Sequence, residues 1–150
     1  MSIIRVLKII ENNIEESDFV GKIKVDIVKK TENILGLKFP KSYRMFIENY
    51  GCGDIFGIEI FGIISDPITD VQTIPNVLWI TNEFKNKGLP KGYIIISETG
   101  DDGSYYTINT NIKNDCDENP IYLWNSFNLK ESKVYDSFGD FLYDFLKEHV

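Results

Sequence analysis

Cysteine is scarce in this chain, histidine scarcer still, and apolar runs are short; each scarcity removes a class of function. Two cysteines occur, Cys52 and Cys116, far apart and without a second pair. Small secreted scaffolds use more, at closer spacing, so the sequence predicts a reducing compartment. The one histidine, His149, stands at the penultimate position, whereas a general base has to be held firmly in place. One histidine and two distant cysteines also fall short of a zinc set. No run approaches the roughly 20 apolar residues that a membrane span requires. The start, Met1-Ser2-Ile3-Ile4-Arg5, turns charged too soon for a signal peptide. These features predict a cytoplasmic protein without a membrane partner.

Also missing are a nucleophile elbow and a phosphate-cradling glycine loop. The run Asn114-Asp115-Cys116-Asp117-Glu118 has the charge to attract calcium. It lacks the spaced oxygens and central glycine of a calcium loop, and reads as a solvated loop. Glu98, Asp101 and Asp102 are the best candidates for paired carboxylates, which hold a divalent ion or serve as acid and base. Turn chemistry already explains Asp101 and Asp102 and is the weightier account, since short polar side chains stabilise turns. The sequence therefore predicts no catalytic residue, no cofactor and no metal: a protein that is not an enzyme.

What is present fits one domain spanning residues 1–150, long enough to bury its own core. Hydrophobic residues make up 43% of the chain, which argues against disorder. Ten Phe and eight Tyr supply core rings and, where exposed, contact residues. The net charge of −7 is unevenly spread. Between Arg44 and Lys85 there is no base, while Glu48, Asp54, Glu59, Asp66, Asp70 and Glu83 all fall there. A second base-free stretch, Gly92 to Ile112, holds Glu98, Asp101 and Asp102. Nucleic-acid phosphates want the opposite sign. A basic protein partner suits this field, and so does a bland role in solubility.

Periodicity places the elements. Ile3, Val6, Leu7 and Ile10 mark a first helix, and a linker follows from Glu15 to Gly21. Ile27, Val28, Ile34 and Leu35 mark a second, ended by Gly36; Pro40 opens a third, with Tyr43, Phe46, Ile47 and Tyr50 on one face. Ile55 to Ile64 reads as a strand or hairpin. Thr73 reads as an N-cap and Pro75 as a first-turn residue, before a helix carrying Val77, Ile80, Thr81 and Phe84. Strands are predicted at Tyr93 to Ser97, Ser104 to Asn109, Ile121 to Trp124 and Lys133 to Tyr135. Ser137 and Asp140 then cap a last helix with Phe138, Phe141, Leu142, Phe145 and Leu146 on its apolar face. The order predicts an α+β domain, an antiparallel sheet covered by helices on one side.

The string Glu32-x-x-Leu35-Gly36-x-x-Phe39-Pro40-x-x-Tyr43-x-x-Phe46, leading into Tyr50-Gly51-x-Gly53, resembles the opening motif of the SUKH superfamily. That group includes yeast cell-wall-synthesis regulators and many bacterial immunity proteins. Pro90, the strand at Ile94 to Ile96, the Gly100-Asp101-Asp102-Gly103 turn and the closing Phe138-x-x-Phe141-Leu142 helix are similar too. Each matched residue also has a plain packing role. The resemblance implies an immunity protein that binds and blocks the C-terminal domain of a cognate polymorphic toxin, often a nuclease. A nuclease presents basic residues to its substrate, which the acidic field would complement. The alternative is a regulatory or scaffolding module linked to cell-wall synthesis or signalling. The candidate contact residues are Asp54, Phe56, Glu59, Asp66, Asp70, Glu98, Asp101, Asp102 and Tyr105.

Overall fold

A computed structural model describes residues 3–67 and 76–150. The opening apolar stripe forms α1 (Ile3–Asn12), which buries Ile3, Val6 and Ile10. The stretch expected as a linker carries a 3-10 turn and a short strand, β1 (Ser17–Phe19). Its three residues have no strand signature of their own; pairing with β2 (Gly53–Ile55) is what makes them a strand. Next, α2 (Val25–Leu35) ends at Gly36, whose φ of 74° makes it the left-handed cap expected there. Pro40 is the N-cap of α3 (Lys41–Tyr50), one position earlier than a first-turn residue.

The motif around this corner has a mechanical explanation. The buried Glu32 carboxylate accepts the Phe39 N–H at 2.6 Å, while Arg44 donates to the Phe39 carbonyl at 2.5 Å. Both backbone groups of the connecting residue are thus satisfied by side chains from the two helices it joins. The run Asn114 to Glu118 serves α3 as well. Glu118 accepts the Ser42 N–H at 3.0 Å and its hydroxyl at 2.6 Å, capping a helix start that Pro40 cannot cap. Asn114 Oδ1 folds the run by accepting from the N–H groups of Cys116 and Glu118.

The Ile55 to Ile64 segment forms a hairpin of β2 with β3 (Ile58–Ile60), turned through Phe56 and Gly57 at φ 53° and 80°. Asn76 caps α4 (Val77–Lys85), its side chain accepting from the N–H groups of Leu78 and Trp79. Thr73 and Pro75, expected as the N-cap and a first-turn residue of this helix, lie outside the described residues; the cap is Asn76, whose side chain satisfies the first free N–H groups. The strands β4 (Tyr93–Glu98), β5 (Ser104–Asn109), β6 (Ile121–Asn125) and β7 (Glu131–Tyr135) then form an antiparallel meander in chain order. Ser137 caps α5 (Phe138–Leu146), accepting the Asp140 N–H at 3.0 Å.

The α+β class is as expected, with the strands divided between two antiparallel sheets, β1-β2-β3 and β4-β5-β6-β7. The sheets meet where the Phe61 N–H donates to the Ile96 carbonyl at 2.7 Å and the Ser97 hydroxyl to the Glu59 carbonyl at 2.7 Å. Helices cover both faces of the larger sheet, where the order of elements predicted one covered side. Tyr105 and Tyr106 are neighbours on β5 and so point opposite ways. The first packs on Phe84 of α4, the second on Phe141 and Phe145 of α5. Phe39, Tyr43 and Phe46 join Phe138 in one aromatic cluster, and Tyr43 donates to the Phe61 carbonyl at 2.7 Å.

Candidate partner-binding face

In the three-stranded sheet, Asp18, Asp54 and Glu59 are paired directly across β1, β2 and β3. Directly opposed residues share a face, and this one is outward: Asp18 and Glu59 are exposed and Asp54 half-buried, while Ile55 and Ile60 beside them are buried. Three carboxylates thus form a cross-strand ladder. No ion pair reaches Asp18, Asp54, Glu59, Glu98 or Asp102 among the described residues.

The electrostatics carry the ladder onto the second sheet. Partial burial, then the nearby Glu98 and Asp54 carboxylates, push the Glu59 carboxyl above its ordinary value. Burial, Glu98 and Asp102 likewise push the Tyr105 phenol up. Glu98 and Tyr105 are cross-strand partners on β4 and β5. Glu59 is thus near Asp54 and Glu98, and Tyr105 near Glu98 and Asp102, which makes one acidic neighbourhood at the junction of the sheets. Asp101 belongs to the same turn; burial, then Asp144 and Asp101, push the Tyr106 phenol up.

Two of the other candidates are engaged by other residues. Asp66 is held 3.0 Å from Lys30 of α2. The Phe56 ring is stacked on His149 at 4.5 Å with planes 7° apart, so one of its faces is taken. Asp70 lies outside the described residues. Two residues were missed. Asp18 sits in a strand too short to show alternation, and Phe127, 72% exposed, sits in a loop where single exposed rings carry no pattern.

A SUKH family model described as SMI1-KNR4 cell-wall matches residues 5–147, and so takes in both sheets and every helix core. The chain belongs to this SUKH family. A crystal structure of a protein from Pseudomonas syringae pv. tomato is similar, with a TM-score of 0.69 and 18% identity over 94% of this chain and 98% of that one. At that identity the likeness is one of fold. Within this SUKH domain the motif residues from Glu32 to Phe46 build the helical corner and core, and the acidic face is formed by residues outside the motif. No described helix is long and apolar enough to cross a membrane. Among the described residues no group of three or more His, Cys, Asp or Glu is placed to hold a metal.

Like charges directly opposed on a sheet are destabilising by roughly 0.2–1 kcal/mol. Glu59→Gln is expected to raise folding stability at neutral pH by about that amount, and by less in 1 M salt. Because the folded state holds the Glu59 proton more tightly than its ordinary 4.5, stability contributed by this group falls as pH rises through 4.5 toward the higher folded value. The variant should lose that part of the slope. Urea midpoints from pH 4 to pH 8 check it, and a lower midpoint for Glu59→Gln at pH 7 would show that the ladder is not repulsive.

Proposed function

We propose that this chain is a cytoplasmic immunity protein: it binds the toxic C-terminal domain of a cognate polymorphic toxin, a basic nucleic-acid-processing domain, and neutralises it by covering its substrate-binding surface. Neutralisation needs no catalysis and no cofactor. The observation that carries this reading is the Asp18-Asp54-Glu59 ladder continued by Glu98 and Asp102. Aligned carboxylates cost stability in the free protein, and a basic partner relieves that repulsion on binding while speeding encounter. Family membership supports a protein-binding role of this type.

Co-expression tests it. Any toxin domain encoded beside this gene is produced with and without the chain, survivors are counted, and the mixture is run on gel filtration. Rescue with a stable complex is expected. Asp54→Lys/Glu59→Lys/Glu98→Lys should slow association by roughly tenfold or more at low salt, with the deficit shrinking as salt rises. Rescue that survives the triple reversal unchanged would remove the acidic face from the reading. The cell-wall wording of the family description supports a second reading, a regulatory or scaffolding module of cell-wall synthesis. That reading gains if no complex forms and deletion of the gene alters wall sensitivity instead.

A further inference from the structure

The loop between β6 and β7 holds Phe127 in the open. Its side chain is 72% exposed, more than any other large apolar side chain described. Loops that display such a ring are commonly mobile; this one is tied at every residue. Asn125 Oδ1 accepts the N–H groups of Phe127 at 2.8 Å and Asn128 at 3.0 Å, and its Nδ2 donates to the Ser104 hydroxyl at 3.0 Å. Ser126 donates twice to the Gly103 carbonyl, from its N–H at 2.7 Å and its hydroxyl at 2.9 Å. Asn128 Oδ1 accepts the Lys130 N–H, and the Leu129 N–H donates back to the Asn125 carbonyl.

The ring itself rests on glycine. A Cβ at Gly103 would come within 2.6 Å of the Phe127 ring, and one at Gly88 within 2.5 Å of Leu129. Phe127 and Leu129 are therefore seated against bare backbone on one side, with Leu129 half exposed beside the ring. An aromatic side chain fixed in this way loses little conformational freedom when it enters a partner pocket, which is the property of an interface anchor. The sign of the partner follows from the surroundings. On the Gly103 side, residues 98–104 contain Glu98, Asp101 and Asp102 and no base; Lys130 closes the loop on the other side.

We infer that Phe127, supported by Leu129, is the apolar anchor of the partner interface, and that the partner presents an apolar pocket rimmed by lysine or arginine. This rests on the proposed immunity role and deepens it: the acidic face sets encounter, and the anchor sets residence time.

The test is calorimetry and dissociation kinetics with the toxin domain that the co-expression rescue identifies as the probe, using the full chain, Phe127→Ala, Phe127→Trp and Asp54→Lys/Glu59→Lys. Thermal melts should be unchanged for both Phe127 variants, because the ring is mostly exposed. Phe127→Ala is expected to weaken binding about thirtyfold, almost wholly through faster dissociation, with Phe127→Trp close to the parent. A Phe127→Ala affinity within threefold of the parent overturns the anchor, and leaves the immunity role standing if the charge reversal weakens binding. Loss with Phe127→Ala but not with charge reversal supports the anchor and removes the acidic face. No binding by the parent overturns both.

Discussion

Replacing Phe138 with alanine removes about 3–5 kcal/mol of folding stability. Phe138 is fully buried at the start of α5, where its ring meets Tyr43 at 5.1 Å, Phe46 at 5.6 Å and Phe141 at 6.0 Å. It is the point at which α5 is held against α3. Truncation loses the transfer energy of the ring and leaves a cavity that the two α3 rings cannot close, because Tyr43 is fixed through its hydroxyl to the Phe61 carbonyl. A domain of this size has roughly 5–15 kcal/mol to lose, so the variant should be partly unfolded at 37 °C. Urea denaturation followed by far-UV circular dichroism measures it. Phe138→Leu should recover more than half the loss. A cost below about 1 kcal/mol for Phe138→Ala would mean the cluster is not closely packed.

Gly53→Ala is expected to cost about 3 kcal/mol or more, for a different reason. Gly53 has a φ of 136°, which L side chains rarely adopt, and an added Cβ would run into the backbone carbonyl of Asp18 on the neighbouring strand. Backbone cannot move aside as a side-chain end can, so β1 must part from β2. The loss is therefore local first: amides of β1 should exchange faster than those of β4 and β5 by more than the global destabilisation accounts for. Asp18 would leave the carboxylate ladder at the same time, joining fold and proposed function in one variant. Native-state hydrogen exchange reads the difference. Equal acceleration across both sheets would place the strain elsewhere.

These two positions differ in how far they could be read in advance. Phe138 stood in an apolar stripe recurring at helical spacing behind a Ser-x-x-Asp cap, and that pattern alone placed it in a helix and on its buried face. Gly53 was legible only as part of the Tyr50-Gly51-x-Gly53 string; its closeness to Asp18, 35 residues earlier, depends on the pairing of β1 with β2. The acidic face divides in the same way. The lack of bases between Arg44 and Lys85 exposed a surplus of carboxylates, but it gave Asp66 and Glu59 equal standing. Pairing separated them: Asp66 went to Lys30, and Glu59 to a register opposite Asp54.

By itself the sequence determined the helices, the Gly36 and Ser137 caps, the meander strands, the α+β class and the acidic bias, because these arise from periodicity, turn chemistry and charge within a few residues of chain. The tertiary structure alone decided that β1 exists, that α4 and α5 take opposite faces of the larger sheet, that Asp18, Asp54 and Glu59 share one face, and that Glu98 comes near Glu59. It also decided that Phe127 stands exposed on Gly103 rather than in the core. Each of these is a non-local pairing, and which distant strands meet, and in what register, is fixed by burial of the whole core rather than by any local run of residues.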